Sequence, residues 1–102
     1  MALIFLQNFN NHVNGWIDWN IVLDDEGGPS FSNTSVDSPI IVSNDGQEYY
    51  KQPMWYGIGH ISRFVPPGSK RVDLQGPLIP FNVDSAAFET PENRVVIVML
   101  NK

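Results

Sequence analysis

Apolar positions along the chain change their spacing several times, and each spacing predicts an element. Leu3, Leu6, Phe9 and Val13 recur at i, i+3, i+6 and i+10, which predicts a short helix over residues 2–11 with one apolar face. Asn8, Asn10 and Asn11 weaken its end. Residues 13–23 are rich in β-branched and aromatic side chains and read as a strand. Alternation puts Gly15, Ile17 and Trp19 on one face and Trp16, Asp18 and Asn20 on the other. Large side chains on both faces predict a strand covered on both sides, as in a parallel sheet.

Residues 24–38 form a long loop, with Gly27-Gly28-Pro29 followed by Ser, Asn and Thr. Loops of this length in compact domains are commonly functional. Asn44-Asp45-Gly46 lies between Ile40-Ile41-Val42 and Glu48-Tyr49-Tyr50, which predicts a β-hairpin with positive φ at the Asp-Gly step. Pro53 then opens a helix over 53–65 whose stripe is Met54, Ile58, Ile61 and Val65. Gly57 and Gly59 each cost that helix about 1 kcal/mol relative to Ala, a cost that close approach of neighbouring backbone would offset. Pro66-Pro67-Gly68 ends it. The remainder reads as strands over 71–74, 83–89 and 94–101, with Thr90-Pro91-Glu92-Asn93 as a turn; the apolar run 95–100 predicts a central strand. A lone two-faced strand between two helices needs parallel neighbours that this stretch does not supply, so the pattern is that of part of a larger architecture.

Composition narrows the function classes. The chain has 102 residues, 42% hydrophobic and 12% aromatic, enough to form a core and too apolar for a disordered chain. Six basic against 11 acidic residues give a net charge of −5, which argues against nucleic acid as a partner. There is no cysteine, so disulfides and thiolate metal sites are excluded within the chain. No apolar run approaches a bilayer span, and residues 1–6 are too short and lack the basic flank of a signal peptide. His12 and His60 have no partners at ligand spacing and read as helix-packing residues, so neither metal nor cofactor is expected. Asp18 reads as a buried, hydrogen-bonded carboxylate, and Asp24, Asp25 and Glu26 as a solvated loop. Trp55 and Tyr56 read as core, Lys51 and Arg63 as surface or capping charges.

Three stretches in series carry a resemblance. They are Gly15-Trp16-Ile17-Asp18-Trp19-Asn20, then Glu26-Gly27-Gly28-Pro29 with Val36-Asp37-Ser38-Pro39-Ile40-Ile41-Val42, and then Tyr50-Lys51-Gln52-Pro53-Met54 with Gly59-His60-Ile61-Ser62-Arg63-Phe64. In this order, over residues 11–72, the chain resembles the C-terminal part of the glucosylceramidases (acid β-glucosidases) of glycoside hydrolase family 30. The resemblance implies a mixed α and β fold: a fragment of a (β/α)8 barrel, its last strand and helix, followed by the start of a β-sandwich. It implies residues 1–20 as the end of barrel helix 7 and strand 8, 21–52 as a loop and hairpin excursion, 53–69 as barrel helix 8, and 70–102 as the start of the sandwich.

The family hydrolyses glucosylceramide to glucose and ceramide with retention, using two carboxyl groups roughly 5–5.5 Å apart. By the resemblance both are glutamates on earlier barrel strands, ahead of this stretch, so no catalytic residue is expected here. What it implies instead is a cleft wall. Trp19 aligns with a tryptophan lining the glucose pocket, where an indole face meets the C–H surface of a pyranose. A cleft asparagine aligns with Thr34, with Asn33 one place earlier, and Phe31 stands where the family has tryptophan. Asn33-Thr34-Ser35 is also an N-glycosylation sequon. The resemblance further implies a lysosomal setting, a lipid membrane surface and an activator protein as partners. The sequence pI near 4.6 means that repulsion from anionic lipid fades in an acidic lumen. The alternative expectation is a non-catalytic β-rich binding module derived from the enzyme.

Overall fold

The computed structural model describes residues 2–32, 35–75 and 80–102. Its elements are, in order, α1 (Ala2–Asn10), β1 (Val22–Asp24), β2 (Ile40–Val42), β3 (Tyr49–Lys51), α2 (Pro53–Ser62), β4 (Lys70–Val72), β5 (Val83–Glu89) and β6 (Val95–Asn101). They fall into two compact units, Met1–Trp16 with Ile58–Lys102, and Ile17–Gly57.

The first unit is built on the antiparallel sheet β4–β5–β6. Its inner face presents Ala86 and Phe88 from β5 and Val98 and Leu100 from β6, and α1 covers that face with Leu6 and Phe9. Phe9 meets Phe88 edge to face at 5.6 Å between centroids. The side-chain amide of Asn10 donates to the Ser85 carbonyl (2.9 Å) and accepts from the Arg71 guanidinium (3.3 Å), so the polar end of the helix is tied to the same sheet. Ile61 and Val65, half of the predicted second stripe, also pack on this core. The side chain of Leu3 lies outside the described residues.

α1 stops because His12 takes a left-handed φ of 62°. Its N–H donates to Phe9 O and that of Val13 donates to Asn8 O, a C-terminal motif that satisfies carbonyls left open by the last turn. His12 is therefore a helix cap exposed to solvent, not a packing residue, and His60 is exposed on α2.

Two strand expectations are corrected. Within 13–23 only Val22 and Leu23 belong to a strand, the start of β1, and residues 13–20 form none. A strand exists through its ladder, and among the described residues nothing pairs with 13–20. The predicted cover on both faces is likewise absent, with Ile17 96% and Trp19 85% exposed. Among the described residues, Trp16 meets Phe5 edge to face at 4.7 Å. The run 95–100 is not central either. β5 occupies the middle of the described sheet and β6 its edge, with inward and outward residues alternating along β6. The outward residues Val95, Ile97 and Met99 are themselves apolar, which hid the alternation. β5 itself spans the predicted residues.

The second unit is a small mixed sheet. β1 runs parallel to β2, and β2 pairs antiparallel with β3, Ile41 opposite Tyr50. The hairpin turn forms as expected, with Gly46 at φ 68°. Its Asp45 carboxylate accepts from the Ser43 hydroxyl (2.6 Å) and the Gln47 N–H (3.0 Å). The stretch Asp24–Glu26 is more than a solvated loop. Asp24 Oδ1 accepts from the N–H groups of Glu26 (3.0 Å) and Gly28 (2.7 Å), folding the chain back after β1. Gly27 sits in that turn at φ 83°, and a Cβ there would lie 2.9 Å from the Val36 carbonyl oxygen. α2 ends at Ser62, short of the predicted Val65, and Gly59 has nothing within 4 Å of an added Cβ, so the close approach expected there is absent.

These contacts order two substitutions. Gly27→Ala combines left-handed strain with a backbone clash and costs this unit about 1–3 kcal/mol or more. Gly46→Ala, with open space around it, costs only the strain, about 1–2 kcal/mol. Hydrogen exchange of the Asp24 and Gly28 amides reads the first and that of Ser43 and Gly46 the second; equal effects would refute the ordering.

A pH dependence follows from Asp45. The Ser43 hydroxyl, then the Gln47 N–H, hold its carboxyl below its ordinary value of 3.8. A lowered folded value favours folding when the group is ionised. The contribution is thus complete above the ordinary value and is lost as pH falls through the lowered one. Amide protection in the turn is expected to stay flat down to about pH 4 and then fall, and Asp45→Asn is expected to remove that acid-side slope.

Candidate functional site

Trp19 lies in the irregular segment just ahead of β1 and turns its indole to solvent. Its backbone N–H donates to Asp18 Oδ1 at 2.9 Å. Asp18 Oδ2 is enclosed and has no hydrogen-bond partner among the described residues. The carboxylate expected to be fully satisfied is thus half satisfied, and its one bond fixes the main chain from which Trp19 projects.

Phe31 occupies a turn in the loop after Pro29 and is fully exposed. Asn33 and Thr34, with the sequon they form, lie outside the described residues. Among the described candidates, then, Trp19 and Phe31 are both solvent-facing aromatics, and no ring contact joins them. After this stretch the loop is anchored: the Ser35 hydroxyl donates to the Glu26 carbonyl (3.0 Å), and buried Ser38 donates to the Ile40 carbonyl (2.6 Å).

The same unit holds an aromatic cluster that the sequence reading divided wrongly. Trp55 and Tyr56 are not core: they are 36% and 53% exposed and meet edge to face at 5.0 Å. Lys51 is not an idle surface charge, since its ammonium lies 4.4 Å from the Trp55 ring centroid. Tyr50 donates its hydroxyl to Glu48 Oε2 at 2.6 Å, and that bond together with the carboxylate's charge raises the Tyr50 pKa. The signal for the cation–ring pair was present in the spacing of Lys51 and Trp55 across the strand-to-helix junction, where Pro53 forces the chain to turn.

The first unit contains a cleft of about 830 Å³. Its floor is Phe5, Phe9, Ile61 and Phe88, and Lys70 and Arg71 stand on its lining. Neither Trp19 nor Phe31 lines it. Among the described residues no group of three or more His, Asp and Glu side chains is placed to hold a metal ion. No helix of the described residues is long and apolar enough to cross a membrane.

The four glutamates are dispersed: Glu26 in the Asp24 turn, Glu48 against Tyr50, Glu89 at the end of β5, and Glu92 in the turn before β6.

Comparison with known proteins agrees with the resemblance in both parts of the chain. Residues 2–65 match the glycosyl hydrolase family 30 TIM-barrel domain, and residues 68–102 match the glycosyl hydrolase family 30 beta sandwich domain. The lysosomal acid glucosylceramidase of Mus musculus is 43% identical over 97 residues, 95% of this chain and 19% of that protein. The crystal structure of SrfJ from Salmonella typhimurium superposes with a TM-score of 0.89 at 29% identity, covering 98% of this chain and 22% of that one. The endo-beta1,6-glucanase BT3312 gives a TM-score of 0.86 at 27% identity, over 95% of this chain and 22% of that one. The chain spans less than a fifth of the length of the curated relatives it matches. With its helices and small mixed sheet in the TIM-barrel match and its three-stranded sheet in the sandwich match, the chain belongs to glycosyl hydrolase family 30.

Proposed function

We propose that this chain contributes pocket wall and the barrel-to-sandwich passage to a retaining β-glucosidase that cleaves glucosylceramide to glucose and ceramide. The observation that carries the reading is Trp19. Within a stretch that matches the family's barrel, a tryptophan stands 85% exposed on a main chain held by Asp18. A flat indole face with an N–H at its edge fits the C–H surface of a pyranose flanked by hydroxyls. In this proposal Phe31 adds an aromatic edge to the cleft and Asn33 or Thr34 a polar contact to the sugar.

Retaining hydrolysis requires a nucleophilic carboxylate and an acid–base carboxyl on opposite sides of the scissile bond. The proposal assigns neither to this chain, whose glutamates are dispersed. Its contribution is to orient the sugar ring for groups supplied elsewhere in the enzyme. Similarity to a mouse protein named as lysosomal supports a lysosomal setting, in which the acidic chain carries less negative charge and approaches anionic lipid at lower cost. A membrane surface and an activator protein are the partners this reading implies.

The test is a chimera in which these residues replace the 97 matched residues of the mouse enzyme. Hydrolysis of a fluorogenic β-glucoside at acid pH is expected to persist. Trp19→Ala in the chimera is expected to remove about 1.5–3 kcal/mol of contact, roughly 10–150-fold in kcat/KM. Full activity of that variant would refute the pocket role. The 102-residue chain alone is expected to show no turnover; turnover by it would overturn the assignment of both glutamates elsewhere. Saturable binding of a β-glucoside by the isolated chain, with an inactive chimera, would instead favour a non-catalytic binding module.

A further inference from the structure

Among the described residues, Asp18 Oδ2 is the one enclosed side-chain polar atom that lacks a hydrogen-bond partner. The other oxygen of the same carboxylate, Oδ1, accepts from the Trp19 backbone N–H at 2.9 Å. One half of the group is thus bound to the main chain that carries the candidate pocket tryptophan. The other half is shut away from water with nothing to accept from. An enclosed carboxylate oxygen without a donor is destabilising, and folded proteins nearly always pair such atoms. The turn-holding carboxylates of the same unit, Asp24 and Asp45, each accept two bonds and leave no enclosed oxygen unpaired. Enclosure also decides what Asp18 Oδ2 can meet. A sugar hydroxyl arriving from solvent does not reach it, so this oxygen is not a substrate contact.

We propose that Asp18 is a positioning residue for Trp19, bridging the Trp19 main chain through Oδ1 to an N–H or O–H donor that another segment of the enzyme presents to Oδ2. The proposal rests on the pocket role of Trp19 given above and adds how the ring is held. The Oδ1 bond closes a short ring between the Asp18 side chain and the peptide entering Trp19, so it sets the direction of that peptide. Alone, this bond lets side chain and peptide swing together. A second bond at Oδ2 pins the carboxylate to a neighbouring element, and the indole is then held against the sugar instead of tilting. A bond to an ionised carboxylate is stronger than one between neutral groups, which suits it to this task. The residue type follows from the same geometry. A carboxylate accepts at both oxygens, whereas in either orientation of an asparagine amide one donor faces another.

The mouse-enzyme chimera tests this through a double-mutant cycle on kcat/KM for the fluorogenic β-glucoside. With Trp19 present, Asp18→Asn is expected to lower kcat/KM at least about tenfold. In the Trp19→Ala background the same change is expected to cost less than about twofold, because the ring it positions is gone. Thermal melting of each chimera checks that the fold remains. A structural role unconnected with the ring would lower activity by the same factor in both backgrounds, and that result overturns the proposal. Full activity of Asp18→Asn alongside a damaged Trp19→Ala also overturns it and leaves the pocket role standing. If Trp19→Ala alone is fully active, the pocket role fails and the positioning role falls with it. If Asp18→Asn does not fold, Asp18→Glu, which keeps the charge but shifts both oxygens by one methylene, enters the same cycle; equal loss in both backgrounds, or none in either, again overturns the proposal.

Discussion

A polypeptide can bury its apolar side chains only where its backbone N–H and C=O groups find partners, and that requirement sorts the apolar segments of this chain. Residues 83–101 carry their own partner: β5 and β6 are joined by the five residues Thr90–Arg94, and Thr90 N–H donates to the Arg94 carbonyl at 2.8 Å to close the turn. Residues 13–20 are richer in aromatic side chains, yet nothing among the described residues pairs with them, and they stay irregular. What differs between the two segments is the presence of a neighbour at hydrogen-bonding distance. In the paired β5, Ala86, Ala87 and Phe88 are nearly inaccessible, whereas in the unpaired stretch Ile17 and Trp19 stand in solvent.

The same rule explains how much of the fold could be read from the residues. α1, the hairpin around Gly46 and the start of α2 at Pro53 were legible because each is fixed by contacts within a few residues: a capping geometry, a positive-φ glycine, a proline at a first turn. The order of strands in the sandwich sheet was not. The uninterrupted run 95–100 suggested a strand buried on both faces, but the position of a strand in a sheet is decided by what pairs on each side, which a run of apolar letters does not encode. Residues 13–23 misled for the same reason, since propensity names a conformation and pairing decides whether it forms.

At the candidate site the legible part was the residue type and the illegible part was its support. Trp19 and Phe31 came from motif position, and both prove to be exposed aromatics. The roles of Asp18 and Asp24 came only from geometry. A carboxylate beside a turn is indistinguishable in sequence from a solvated loop charge until its acceptors are seen to hold particular N–H groups, as Asp24 holds those of Glu26 and Gly28. Lys51 and Trp55 were read separately because one was assigned to the surface and the other to the core. The ring contact lies at the boundary between those categories.

Two exposed apolar surfaces among the described residues differ in chemistry. Trp19 offers a flat aromatic surface with a hydrogen-bond donor at its edge, on a main chain fixed by Asp18. Such a surface is suited to a partner that is apolar on its face and hydroxylated around its rim, which describes a sugar. Val95, Ile97 and Met99 carry no donor or comparable polar handle and are spaced by the pleat of a strand. Their only favourable partner is another apolar surface of similar pitch, and an alternating row of aliphatic side chains on a second sheet supplies it.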